Sequence, residues 1–186
     1  EDAAQGMMAK YKDSHLGTIG HMGAYSFHET KNYTSGGEGG LLILNDENFV
    51  NRAEIIREKG TNRKEFFRGM VDKYSWVDIG SSYLLTEIQA ACLWGQLIKA
   101  EEINSFRKKT WQKYFDGLLH LKESGHLGFH EIPNHCEHNA HIFFIKLDSL
   151  EIRTDLINFL NEREIGSAFH YVPLHATDYG KKSGSF

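Results

Sequence analysis

Proline and cysteine are scarce in this chain, with two of each among 186 residues. Cys92 and Cys136 lie far apart and match no metal-ligand or redox spacing. That excludes a disulfide-stapled scaffold and a CxxC redox centre, and suits a reducing, cytoplasmic setting. No apolar run approaches the roughly twenty residues of a membrane-spanning helix, and no signal peptide is visible. A basic stripe is also missing. Lysine and arginine are scattered through a chain of net charge −4, which argues against nucleic acid as a partner. What is present is a 40% hydrophobic composition, enough to bury a core as one globular unit or two small ones.

The most distinctive stretch is Ser26 to Gly40, SFHETKNYTSGGEGG, which sets Lys31 among small, hydroxylated and flexible residues. Upstream, AYSF reads as a short strand. Downstream, Gly36, Gly37, Gly39 and Gly40 run into LLILND, a buried strand ending at an Asn45–Asp46 turn. Lys31 is therefore expected on an irregular connection between two strands, where glycines let backbone approach a ligand. Taken alone, a loop lysine is a solvated surface residue. Its neighbours point further: Ser26 lies beside a glycine-rich turn, as a phosphate-binding hydroxyl would. The opening EDAAQ places Asp2 and Gln5 at the end of another strand. An acid, a hydroxyl and a lysine are the protein groups that pyridoxal phosphate requires.

Gly17, Gly20 and Gly23 lead into a strand rather than out of one into a helix, so they read as turn glycines and not as a dinucleotide fingerprint. ENFVNRAEIIRE has helical spacing behind an Asp46 cap. From Gly60 to Tyr83 the pattern dissolves into a long aromatic and charged excursion whose Phe66, Phe67 and Trp76 argue for order. Arg63 or Arg68 there is a candidate for a phosphate or carboxylate, weighed against an ordinary surface arginine. Leu85 to Leu119 reads as a long helical stretch broken near Ala100. His126, His130, His135, His138 and His141 follow beside Cys136; their spacing matches no zinc finger, and exposed loop histidines are expected, with no metal. A strand HIFFIKL, a helix RTDLINFLNERE and a strand GSAFHYVPLH come next. His170 and His175 are expected to be structural. The terminal GKKSGSF shows no helix pattern, and the chain opens inside a motif, so it is expected to be a piece of a longer protein.

The run EDAAQ, then GTIGHMGAYSFHETKNYTSGGEGGLLILND, resembles the DegT/DnrJ/EryC1/StrS sugar aminotransferases, fold-type I pyridoxal-phosphate enzymes, over essentially the whole chain. With EIIREKGTNRKEFFRGMVDKYSWVDIGSSYL, it is most like the dTDP-4-amino-4,6-dideoxygalactose transaminases of that family. The resemblance implies an α/β, aspartate-aminotransferase-like fold. Residues 1–100 would belong to the large domain that binds the cofactor, and 101–186 to the small C-terminal domain. It implies Lys31 as the lysine bonded to pyridoxal 5'-phosphate, Asp2 on the pyridine nitrogen, Gln5 near the ring hydroxyl and Ser26 on the phosphate. One position departs: Leu84 stands where many members carry an asparagine that reaches the neighbouring subunit's cofactor, with Ser81 or Ser82 as possible replacements.

The implied reaction is transfer of an amino group from glutamate to a dTDP-linked 4-keto-6-deoxyhexose, in cell-surface polysaccharide biosynthesis, by a homodimer. The aromatic that stacks on the cofactor belongs, in the family, to a part preceding EDAAQ, so this chain alone is expected to be inactive. Two rivals stand beside that reading. One is a sugar dehydratase, typically with histidine at the position of Lys31. The other is a non-catalytic sugar-nucleotide-binding protein on the same scaffold, which has no need of Asp2, Ser26 and Lys31 together.

Overall fold

Seven short strands and six α-helices are found among residues 1–184, which the computed structural model describes. In chain order they are β1 (Lys10–Tyr11), β2 (Ser14–His15), β3 (Met22–Ser26), β4 (Gly40–Leu44), α1 (Val50–Arg57), α2 (Arg63–Phe67), α3 (Glu87–Leu97) and α4 (Ala100–Glu123). Then come β5 (Gly128–Phe129), β6 (Cys136–Glu137), β7 (Ile145–Lys146), α5 (Leu150–Asn161) and α6 (Asp178–Ser183). They fall into two compact units. One contains Glu1–His120 with His130–Phe144; the other contains Leu121–Phe129 and the residues from Ile145 onward. Within the first unit α4 packs through Ile103 and buries Trp111.

Alternation along β3 organises the first unit. Gly23 and Phe27 are buried and Tyr25 is half-buried, whereas Met22 and Ala24 are exposed. In a strand, successive side chains point to opposite faces. One face of β3 therefore feeds the core of Phe27, Tyr33 and Leu93, around which Met7, Met8, Leu85, Leu97 and Ile103 pack. β4 pairs antiparallel with β3 from Met22↔Leu44 to Ser26↔Gly40. A separate small sheet joins β1 to β2 and, on its other side, to β6, with Lys10 opposite both His15 and Glu137.

The Asp46 carboxylate accepts from the Asn48 N–H at 2.9 Å and opens a 3₁₀ turn that continues into α1. α3 starts at a capping box in which the Thr86 hydroxyl and the Gln89 side chain satisfy each other's backbone N–H groups. The helical stretch breaks at Ile98–Lys99, close to the expected Ala100. The excursion from Gly60 to Tyr83 is ordered by α2 and by isolated bridges Glu58↔Ser82 and Thr61↔Trp76.

Farther along α4, Trp111 is 5% exposed and lies against Phe115, His130, His138 and Phe143, with ring centroids 4.5–5.5 Å away. His130 and His138 were expected as exposed loop residues. Instead burial depresses the pKa of both, and for His138 the charges of Lys108 and His130 add to the effect.

In the second unit β5 pairs with β7, and α5 starts at Ser149, whose hydroxyl accepts from the Ile152 N–H at 3.1 Å. Two expectations fail here. The strand HIFFIKL shrinks to Ile145–Lys146, and GSAFHYVPLH forms no strand, since neither finds a longer ladder partner among the described residues. The chain end carries a helix after all, α6, capped by the Thr177 hydroxyl on the Gly180 N–H at 3.0 Å. No described helix is long and apolar enough to cross a membrane.

Two predictions follow from packing and burial. A Cβ at Gly23 would overlap the Gly17 backbone, whereas one at Gly117 of α4 meets open space. Gly23→Ala is expected to destabilise by about 3 kcal/mol or more, and Gly117→Ala to stabilise by about 0.5–1 kcal/mol, in urea unfolding. The histidines predict a pH dependence. Their folded-state pKa values lie below the ordinary 6.5, so the unfolded chain takes up protons first as pH falls. Their contribution to stability is complete above 6.5 and is lost on acidification towards the folded-state values. The melting temperature should drop over that window, and His130→Phe with His138→Phe should flatten the drop.

Candidate functional site

The sheet places the opening residues of the chain against β3. Asp2 forms a parallel bridge with Ala24, where the Ala3 N–H donates to the Ala24 carbonyl and the Ala24 N–H to the Glu1 carbonyl, both at 3.1 Å. Residues paired across a sheet project to the same side, as do residues two apart along a strand. Asp2, Ala24 and Ser26 therefore share one face, opposite the core face of Gly23, Tyr25 and Phe27. Ala24 is exposed, so this face is open between a carboxylate and a hydroxyl.

Glu1 fixes this register. Its carboxylate accepts from the N–H groups of Gly17 (2.7 Å), Ile19 (3.1 Å) and Gly20 (3.2 Å), which hold its pKa below the usual range, the Gly17 bond most of all. The Asn45 amide closes the same turn on the carbonyls of Gly17 and Gly20. Gly17 needs its freedom there, with φ at +90°. The Asp2 carboxylate accepts from the Ala4 N–H at 3.1 Å and, among the described residues, enters no ion pair.

Lys31 lies in the loop leaving β3, half-buried, with its N–H donating to the His28 carbonyl at 3.0 Å. No described side chain pairs with its ammonium. Ser26 is half-buried, and its hydroxyl accepts from the His28 N–H at 3.3 Å. Gln5 is exposed, and its carbonyl accepts from the Asn139 amide at 2.6 Å.

The loop around Lys31 is pinned by side chains. Tyr33, 2% exposed, donates its hydroxyl to the Ala100 carbonyl at 3.0 Å; burial raises its pKa, opposed by the charge of Arg107. Thr34 is held at both backbone groups by the Gln96 amide, at 3.1 and 2.9 Å. Ser35, 1% exposed, brings its hydroxyl to the carbonyls of Glu38 (2.8 Å) and Phe27 (3.2 Å). Gln89 donates to the Glu38 carbonyl at 3.0 Å. On the other side, the Asn32 amide donates to the Asn139 carbonyl and meets the His141 ring, both at 3.0 Å.

The four predicted residues thus lie on neighbouring segments of the first unit: Asp2 beside β3, Ser26 at its end, Lys31 in the next loop, and Gln5 tied to that loop through Asn139. A carboxylate and a hydroxyl on one open face, with a lysine in the loop that follows, fit the needs of a pyridine ring bearing a phosphate. Sequence reasoning missed Asn32, Gln89, Gln96, Asn139 and His141. Only Gln89 carried a signal, as the last residue of the TEIQ capping box.

Other candidates are engaged elsewhere. Arg68 makes a two-pronged pair with Glu54 at 2.9 Å, and Lys64 joins the same carboxylate. Arg63 sits over the Phe67 ring at 5.2 Å. His170 stacks on Tyr171 at 4.4 Å, and His175 lies in a 3₁₀ turn. Among the described residues, no three His, Cys, Asp or Glu side chains gather as a metal site would require.

Known proteins share this arrangement of the chain. The model of the DegT/DnrJ/EryC1/StrS aminotransferase family matches residues 1–185. The uncharacterized protein MJ1066 of Methanocaldococcus jannaschii is 33% identical over 197 residues, covering 100% of this chain and 50% of that protein. The crystal structure of a DegT DnrJ EryC1 StrS aminotransferase from Brucella abortus is 27% identical with a TM-score of 0.81, covering 97% of this chain and 44% of that one. S. venezuelae DesV, solved in complex with a ketimine intermediate, is 26% identical with a TM-score of 0.82, covering 98% and 46%. The chain spans about half the length of these relatives.

The pinned loop makes its own prediction. Ser35→Ala removes a fully buried donor and is expected to cost about 1–2 kcal/mol in urea unfolding, with faster amide exchange at Gly36–Gly39 than in the parent.

Proposed function

The chain belongs to the DegT/DnrJ/EryC1/StrS aminotransferase family, and from that premise we propose that the full-length protein transfers an amino group from glutamate to the keto carbon of a nucleotide-linked sugar. The fold is that of the family's pyridoxal-phosphate-dependent aminotransferases. The observation that carries the reading is the shared open face of Asp2, Ala24 and Ser26 on a strand whose following loop carries Lys31. A dTDP-linked 4-keto-6-deoxyhexose is the substrate we assign, within cell-surface polysaccharide synthesis.

When bound, pyridoxal phosphate supplies an electron sink that stabilises the carbanion left when the substrate's Cα proton departs. The residues of this chain do the rest. Asp2, aimed across Ala24, holds a proton on the pyridine nitrogen by offering a full negative charge to it. Ser26, at the last rung of β3, donates to the phosphate. Gln5 borders the ring hydroxyl. Lys31 would hold the cofactor through its amine and, once free, would move the substrate's Cα proton as base and acid.

In this reading the protein works as a homodimer in the cytoplasm. Large apolar side chains exposed on the excursion and on α3, such as Ile79 (87%) and Ile88 (84%), support a partner surface. Ser81 or Ser82, near the exposed Leu84, is the group we assign to the partner's cofactor phosphate in place of the family asparagine.

The test is an absorbance spectrum of the full-length protein with pyridoxal phosphate, before and after glutamate. The parent protein is expected to show a visible band that glutamate bleaches. Lys31→Ala should show none, and its turnover should fall by about 10²–10⁴-fold. A band that Lys31→Ala retains would remove Lys31 from the mechanism, and a parent protein with no band would overturn the aminotransferase reading.

A further inference from the structure

Asn139 is buried, 5% exposed, and every hydrogen-bonding atom of its side chain is used. Its Nδ2 donates to the carbonyls of Gln5 (2.6 Å) and Met7 (2.8 Å), and its Oδ1 accepts from the His141 N–H at 3.2 Å. Its own carbonyl accepts from Asn32 Nδ2 at 3.0 Å, directly beside Lys31. The Asn32 Oδ1 meets His141 Nδ1 at 3.0 Å and closes the ring of contacts. One residue thus joins two segments more than 100 positions away, as separations of 107 to Asn32 and 134 to Gln5 record.

The turn that presents Asn139 is itself braced. Ala140 adopts φ = +51°, a left-handed conformation that a residue with a Cβ rarely holds unless its surroundings impose it. The imposing group is Arg107 of α4, whose guanidinium donates to the carbonyls of Ala140 (3.3 Å) and His141 (2.8 Å). Burial lowers the pKa of that guanidinium. A charged group brought partly out of water to hold two carbonyls fixes the turn far more firmly than solvent-exposed bonds would.

We infer that Asn139 is a positioning residue for Lys31: braced by Arg107 and acting through Asn32, it sets where the lysine's backbone stands relative to the Gln5–Met7 segment. The inference rests on the proposed cofactor chemistry, because position matters most where a covalent bond must form and a proton must move over a short distance. Misplacement of about 1 Å in such a site costs on the order of 10²-fold in rate. Glutamine or lysine at 139 would overfill the buried slot, and a carboxylate would set an oxygen against the Gln5 and Met7 carbonyls.

The test uses the full-length protein and three variants: Asn139→Ala, Asn32→Ala, and Ser149→Ala as a control that removes the cap of α5 in the second unit. Asn32 is half-buried, so its variant keeps the inference testable should Asn139→Ala fail to fold. Without cofactor, hydrogen exchange at Lys31–Tyr33 should quicken in Asn32→Ala and Asn139→Ala and stay unchanged in Ser149→Ala. With pyridoxal phosphate, the pH midpoint of the visible band should shift in both site variants, and glutamate-dependent bleaching should slow by about 10²-fold. Unchanged exchange and an unchanged midpoint, with only a lowered melting temperature as in Ser149→Ala, would overturn the positioning role. A parent protein without a band would overturn the cofactor reading and this inference with it, whereas a normal parent band with unaltered variants would sink this inference alone.

Discussion

The bridge between Asp2 and Ala24 is the constraint on which the rest of the site depends. A period of two along β3 would be uninformative on an isolated strand. Because Asp2 is locked beside Ala24, that period becomes a statement about chemistry: carboxylate and hydroxyl on one face, Gly23 and Phe27 in the core on the other. A slip of one residue would exchange the faces. Glu1 guards against the slip by seating its carboxylate on the amides of the Gly17–Gly20 turn, and the buried Gly23 guards against it by lying too close to Gly17 to accept any side chain.

The existence of the strand pair, the loop carrying Lys31, the Asp46 turn leading into α1 and the break after α3 were readable, because each is written in local chemistry: alternation, glycine clusters, a capping carboxylate; the burial expected of β4 was not, since Leu41 and Leu42 stand about half exposed. What escaped was non-local. His130 and His138 look like loop histidines in sequence, and only the return of the 130–144 segment to α4 buries them on Trp111. GSAFHYVPLH has the composition of a strand and lacks a partner. The candidate site divides the same way. Asp2, Gln5, Ser26 and Lys31 were named from a motif, but Asn32, Asn139 and Gln96, which hold the loop, carry no local mark because their partners lie far along the chain.

Those holding residues are all amides, and the physics of the site gives a reason. A loop presenting an unpaired lysine has to be fixed by groups that do not bind the lysine. Carboxylate clamps beside Lys31 would attract its ammonium, raise its pKa and draw it away from an open face where Asp2 must also remain unpaired. Asn32, Asn139, Gln89 and Gln96 each offer a donor and an acceptor without net charge, at any pH at which the protein is folded. Two carboxylates of the first unit are engaged away from Lys31, Glu1 by backbone amides and Glu38 within 3.6 Å of the His28 ring, whereas Glu29, two residues before the lysine, is exposed to solvent. The loop is thereby held by uncharged groups, while Asp2 stands on the open face of β3 beside Ala24.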